Sequence, residues 1–328
     1  MYKNVIQHIF CFALLNAYNI FEIKNIMIFF KMLKNNFLLS VVYGVLFLGV
    51  TWAIVSSQFR SWSDSLVFSY PDVRIEFSGE ELPLGWSNWY YNKQRFDKEF
   101  LQMSNNLYQF YLYVKRYPLY IPYIKKKLQE AWIPNDFKYM PIAESALRND
   151  VVSSAGAAGI WQFMPETAKR LGLRVDEFVD ERYHFEKATE AATEYIQELH
   201  ERFNNWTLVA AAYNRWENWL SRDMESQSVD NYYDLYLNEE TSRYVFRIMS
   251  IKYVMYSYFE KKDLIDKIIW WVYKKPITKI VRVWKIDNIA LWAQENDYNY
   301  KDIRVLNRWI IGDSLPEGEW EISVLDES

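Results

Sequence analysis

The stretch from Met140 to Leu173, MPIAESALRNDVVSSAGAAGIWQFMPETAKRLGL, carries the densest local information in the chain. Pro141 can start a short helix, because its missing N–H falls where no intrahelical partner exists; that helix should end near Glu144 and Ser145. A polar stretch follows, then Ser153-Ser154-Ala155-Gly156-Ala157-Ala158-Gly159, whose small residues let backbone approach a ligand closely. A second helix should open at Pro165 and stop before Gly172, with φ fixed at its entry and a left-handed residue allowed past its exit. This sets a lone carboxylate, Glu144, at a helix end facing a loop of Gly, Ser and Ala. Half buried among Ile142, Trp161 and Phe163, Glu144 would have a raised pKa, the property that proton donation near neutral pH requires. Taken alone, a glutamate in this position is far more often a solvated helix residue than a catalytic acid.

Outward from this stretch the pattern is helical. Phe100, Met103, Leu107, Phe110, Tyr111 and Val114 recur at three and four between Asp97 and Ala131, and Ile124, Leu128 and Trp132 continue beyond Pro118 and Pro122. Glu186–Phe203 is the cleanest amphipathic helix, and Thr207–Tyr213 and Thr241–Phe259 extend the theme. After Lys274-Lys275-Pro276 the texture changes: Lys279–Val283 reads as a strand, Ile289–Glu295 and Tyr300–Asn307 as short helices, Trp320–Leu325 as a second strand. The reading is a mainly α protein: a leader over 1–57, an extended segment over 58–97, a helical domain over 98–262 and a small α+β module over 276–328.

In the leader, Phe37 to Val55 is uncharged and apolar and follows Lys31, Met32 (a candidate start) and Lys34, as in a secretory signal or a single membrane anchor. Val55-Ser56-Ser57 offers small residues for cleavage, so both options stand, and the body is expected outside the cytoplasm. Net charge is −4; Lys3, Lys24, Lys31 and Lys34 against Glu22 give the leader +3 and leave −7 on the body, with no basic block. Nucleic acid is therefore not an expected partner, and an anionic polymer would have to be held by hydrogen bonds and stacking. Fifteen Trp and 26 Tyr suit sugar faces, or an aromatic core. Cys11 is the only cysteine, and His184 and His200 belong to no ligand-spaced cluster, so no metal and no cofactor are expected.

Glu144-Ser145, Ser153, Gly156-Ala157, Gly159, Trp161-Gln162-Phe163-Met164-Pro165 and Thr167-Ala168, in this spacing, resemble the signature of the family 1 soluble lytic transglycosylase domain. Ala211-Ala212-Tyr213-Asn214 and Glu240-Thr241-x-x-Tyr244 resemble two further segments of that family, in its order. Phe77-Ser78-Gly79-Glu80 through Leu84 and the Leu112–Ala131 helices are similar to the membrane-bound lytic murein transglycosylase D branch. The resemblance implies a lysozyme-like helical fold with a groove for several sugars, and Glu144 as a single catalytic acid/base. It implies substrate binding by Ser145, Ser153, Gly159, Gln162, Met164, Tyr213, Asn214, Glu240 and Tyr244, with the Tyr213 hydroxyl beside the acid and Glu240 as a second, binding carboxylate. The implied reaction cleaves the β-1,4 bond between N-acetylmuramic acid and N-acetylglucosamine in peptidoglycan glycan strands, leaving 1,6-anhydro ends. The implied setting is the bacterial cell envelope, periplasmic or membrane-anchored. Other wall enzymes as partners are not legible.

Two readings compete. A hydrolytic muramidase on the same fold would need an activated water, with Glu240 or Asp150 as the base. A non-catalytic wall-binding protein is suggested by Arg215-Trp216-Glu217-Asn218-Trp219, which stands where the family has small residues and glycine. Arg and Trp resist positive φ, so the backbone is expected to take another path there, and Trp216 or Trp219 could stack on a sugar. The C-terminal module, through Ile289-Ala290-x-Trp292-Ala293, Leu306-Asn307 and the Leu315-Pro316-x-Gly318 turn, resembles a degenerate LysM fold; a purely structural appendage fits equally.

Overall fold

The computed structural model describes residues 70–71, 74–85, 89–260 and 272–326, with a few positions between 49 and 56. Most of the leader, Val55 and Ser57 of its cleavage site, and all of 58–69 lie outside the described residues. Among the described residues no helix is long and apolar enough to cross a membrane.

The protein is mainly helical, as the periodicity predicts. A two-stranded hairpin, β1 (Glu76–Phe77) and β2 (Glu80–Glu81), precedes α1 (Trp89–Asn105) and α2 (Leu107–Glu130). Helix therefore begins at Trp89, inside the segment expected to be extended; Asn92, Phe96, Glu99 and Phe100 form its buried stripe. The helical pattern across Asp97–Ala131 is two helices, because Asn106 stops one and caps the next, accepting from the Gln109 N–H at 3.1 Å. α2 runs through Pro118 and Pro122 without ending.

A 3₁₀ turn (Asn135–Tyr139) leads into α3 (Met140–Ser145), and α4 spans Pro165–Arg170. Both helices occupy the expected spans: α3 closes on Ala146 in the left-handed region (φ 56°), and Gly172 beyond α4 takes φ 81°. Of the apolar stripe expected on α5 (Phe185–Phe203), Phe185, Ala188, Ala192, Tyr195, Ile196 and Leu199 are buried and Phe203, at the end, is partly buried. α6 (Trp206–Arg215), α7 (Glu217–Gln227) and α8 (Glu239–Glu260) follow. α8 is buried on most of its circumference, packing against α1, α3 and α6, as befits a helix apolar nearly all round. The Glu80 carboxylate of β2 accepts from the Trp206 N–H and, at 3.0 Å, from the Thr207 N–H, so the hairpin caps the positive end of α6.

The C-terminal module has the predicted order: β3 (Thr278–Val283), α9 (Ile289–Glu295), α10 (Tyr300–Leu306) and β4 (Trp320–Leu325). β3 and β4 pair antiparallel from Thr278↔Leu325 to Val283↔Trp320. The fully buried Asn307 side chain joins α10 to β4, donating to Ser323 O and accepting from Ser323 N, both at 2.8 Å. Its core includes Ile289, Ala293, Ile303, Leu315 and Ile322, and also Val179 from the helical body.

Candidate active site

α3 ends at the mouth of a cleft of about 330 Å³. Glu144, the penultimate residue of α3, lines it together with Ser153, Gln162, Met164, Tyr213, Asn214, Glu240 and Tyr244. Eight of the residues singled out in the sequence thus converge from five places: α3, the loop before α4, the C-terminal end of α6, and two turns of α8. One wall is the loop, held by antiparallel bridges Val152↔Ala158 and Ala158↔Phe163. Within it the Ser153 hydroxyl accepts from Ala157 N at 3.0 Å, and Gln162, at φ 52°, donates through its amide to Gly159 O at 2.8 Å. Trp161 lies wholly buried behind this wall and donates to Thr189 Oγ1 at 3.0 Å.

Ser145 and Gly159, expected to bind substrate, do not line the cleft. Ser145 is buried and its hydroxyl faces the Pro141 and Ile160 carbonyls, both at 2.9 Å, fastening α3 to the loop. Gly159 is needed for space: a Cβ there would stand 2.0 Å from Arg182 O, at φ 78°. Both tyrosine hydroxyls lie close enough to Glu144 to feel its charge, but only one bonds to it. The Tyr244 hydroxyl donates to Glu144 Oε1, whereas that of Tyr213 donates to Trp161 O at 2.8 Å. Tyr244 can make this contact because α8 crosses directly beneath α3.

Burial raises the Glu144 carboxyl to a pKa of about 7, against the Tyr244 hydrogen bond and the Arg247 charge, which lower it; the Glu240 charge raises it further. Glu144 is thus a carboxylic acid able to hold or release its proton around neutrality. Glu240 is exposed on the cleft and accepts from Asn214 Nδ2 at 3.4 Å, while Asn214 Oδ1 accepts from Thr241 Oγ1 at 2.9 Å. Asp150 is not among the lining residues. Burial raises its pKa, but hydrogen bonds from Arg148 at 3.2 and 3.3 Å outweigh that and hold it low. Among the described residues no three of His, Cys, Asp and Glu gather as metal ligands.

Sequence reasoning missed three groups. Tyr195 and Arg247 line the cleft; the periodicity of α5 and α8 marks both simply as helix residues. Asp180 and Arg182 form a buried ion pair (2.7 Å) whose guanidinium also donates to Gly156 O and Phe163 O, behind the loop wall.

The turn after Asn214 differs from the expectation. Its backbone does not find another path: Trp216 itself takes positive φ (68°, ψ 130°) between α6 and α7. Arg215 Nε and Asp223 Oδ2, 2.5 Å apart, tie the two helices together across it. A non-glycine residue in that region costs of order 1–3 kcal/mol, and such strain tends to collect at functional sites. Trp216 is about half exposed and lines the cleft; Trp219, equally exposed, does not, and lies under Arg222.

Residues 122–234 match the transglycosylase SLT domain family. Over 206 residues the chain is 28% identical to the membrane-bound lytic murein transglycosylase D of Escherichia coli strain K12, covering 61% of this chain and 44% of that protein. The chain therefore spans less than half of this relative's length. Among solved structures it is similar to the lytic transglycosylase Slt of Pseudomonas aeruginosa (19% identity, 42% of this chain, 24% of that one, TM-score 0.33). The soluble lytic transglycosylase of Escherichia coli is comparable (22% identity, 41% and 24%, TM-score 0.35).

Proposed function

Starting from a chain that carries a transglycosylase SLT domain over residues 122–234, we propose that it is a lytic transglycosylase of peptidoglycan, acting in the bacterial cell envelope. The observation that supports this most is a single half-buried carboxylic acid, Glu144, with a pKa of about 7, on an open cleft lined by hydroxyl and amide groups. Glu144 protonates the oxygen between N-acetylmuramic acid and N-acetylglucosamine as the C1–O bond breaks, with the neighbouring N-acetyl group assisting at C1. Now a carboxylate, it takes the proton of the muramyl C6 hydroxyl, whose oxygen closes on C1. The product ends in a 1,6-anhydro ring, no water is consumed, and Glu144 regains its proton.

In this reading Tyr244 orients the acid, and Ser153 lies by the N-acetyl group. Gln162 and Met164 line the sugar sites, and Asn214 and Glu240 bind glycan. Glu240 takes no proton in the chemical step. The leader of residues 1–57 would carry the helical domain, 98–262, out to the wall, either cleaved or kept as an anchor. Mass spectrometry of digested peptidoglycan tests the reading. Anhydro ends that vanish in Glu144→Gln support it; reducing ends would mean a hydrolytic muramidase, and no products a wall-binding protein.

A further inference from the structure

Among the described residues, the backbone of the C-terminal module bonds to the body at one place, the segment before α5. Val179 bridges Ile310, the Asp180 N–H donates to Trp309 O at 2.8 Å, and the Ile311 and Gly312 N–H groups donate to Phe178 O at 3.0 Å. Val179 is wholly buried inside the module's core. Gly312 is closely packed there, since a Cβ would come within 3.1 Å of Phe178 Cα and 3.2 Å of Glu177 O. Two residues on from this seam the chain turns into the cleft wall. Asp180, buried, receives Arg182 through Nε (2.9 Å) and Nη2 (2.7 Å). The remaining arm, Nη1, donates to Gly156 O at 2.8 Å and Phe163 O at 3.1 Å. Between those two carbonyls lie Ala157 and Gln162, which face the cleft.

We infer that Arg182 is a positioning residue for the cleft, and that the C-terminal module belongs to the same device, gripping the segment that carries Arg182 from behind. A planar guanidinium can hold a carboxylate with one edge and two carbonyls with the other nitrogen; an ammonium cannot span both. The module thus sets the depth of the loop wall opposite Glu144 without touching substrate. The catalytic consequence rests on the glycan-cleaving reading; the mechanical coupling does not.

The test uses the full chain, Arg182→Lys and Gly312→Val, with hydrogen exchange and glycan turnover measured side by side. Arg182→Lys keeps the charge opposite Asp180 and loses the reach to the loop, so a residue needed only for its ion pair would be rescued by it. Gly312→Val wedges the seam at a residue that does not line the cleft. If the inference holds, both variants unfold cooperatively, and amides of residues 153–163 exchange at least about tenfold faster while α8 is unchanged. Turnover at saturating glycan then falls about tenfold or more with KM within about threefold, since misplacing a cleft wall by an ångström is enough for that loss. Loop exchange rising less than about tenfold in either folded variant overturns the coupling. Wild-type turnover in Arg182→Lys overturns the positioning role. Should the wild-type protein cleave no glycan, the functional reading fails by itself, and the exchange result alone supports or overturns the coupling.

Discussion

Removing the Tyr244 hydroxyl should move the pH profile of the proposed glycan cleavage in a direction that few substitutions can. Tyr244→Phe leaves a ring of the same shape in a site that is 1% exposed, and deletes one donor to Glu144 Oε1. A hydrogen bond to a charged group contributes about 1.5–3 kcal/mol, part of which the neutral acid also enjoys; the differential is roughly 1.4 kcal/mol, about one pK unit. The hydroxyl favours the carboxylate, so its loss raises the Glu144 pKa from about 7 toward about 8. The acid form starts the reaction, so the alkaline limb of kcat/KM, which reports the free enzyme, moves up with it. At pH ~8 the protonated fraction rises from roughly one tenth to roughly one half, a gain of about fivefold relative to the acid plateau, even where the plateau itself is lower. Release of soluble fragments from labelled peptidoglycan between pH ~5 and ~9 measures this directly. An alkaline limb that stays put, or moves down, in a folded variant would refute both the donor assignment and the role of Glu144 as the acid.

Glu144→Gln should stabilise the protein above neutral pH. The folded pKa lies above the usual carboxylate value, so the stability linked to Glu144 is full below about 4.5 and is lost as pH rises through about 7. Discounted for partial exposure, the variant should gain roughly 1–3 kcal/mol at pH ~8.5 and nothing at pH ~4, read from denaturant midpoints; an equal gain at both would contradict the burial argument. Trp216→Gly should raise stability by about 1 kcal/mol through relief of its positive φ while weakening glycan binding about tenfold; unchanged affinity would make the indole a bystander. Trp219→Ala, off the cleft, should leave glycan affinity within about twofold in the same titration. Trp161→Ala should cost about 3–5 kcal/mol in unfolding experiments, because a fully buried ring with a hydrogen-bonded N–H is lost; a cost below about 1 kcal/mol would show that the loop wall does not depend on it.

Much of this was legible in the sequence wherever the signal is local. Pro141 and Pro165 mark helix entries, the stripe from Phe185 to Leu199 marks a buried face, and the C-terminal strands and helices fall within a residue or two of their expected bounds. What escaped depends on partners far away in the chain. Ser145 sits in a motif beside the acid, yet its side chain bonds to the Ile160 carbonyl; at Gly159 the distant Arg182 carbonyl leaves no room for a side chain. Which tyrosine meets Glu144 is decided by how α8 crosses α3, and no periodicity encodes that crossing. The Trp216 backbone is the reverse case. Local sterics argue against positive φ, yet Trp216 adopts it at the junction of α6 and α7. The pairing of Asp180 with Arg182 gives no pattern at all, because two residues apart in an irregular segment can face any direction.

Glu240, Tyr244 and Arg247 stand at positions one, five and eight of a single run on α8, and all three reach the cleft. At 3.6 residues per turn, one extra residue placed before Tyr244 would swing the rest of the helix by about 100°. Asn238, whose side chain accepts from the Thr241 N–H at 2.8 Å, fixes where the helix starts and so sets its phase. A mutation that changes the length of this segment would therefore carry Tyr244 and Arg247 away from Glu144 together, with every side chain still present. The vulnerability of this wall lies in reading frame along a helix, whereas a loop of altered length could bulge and keep its ends in place.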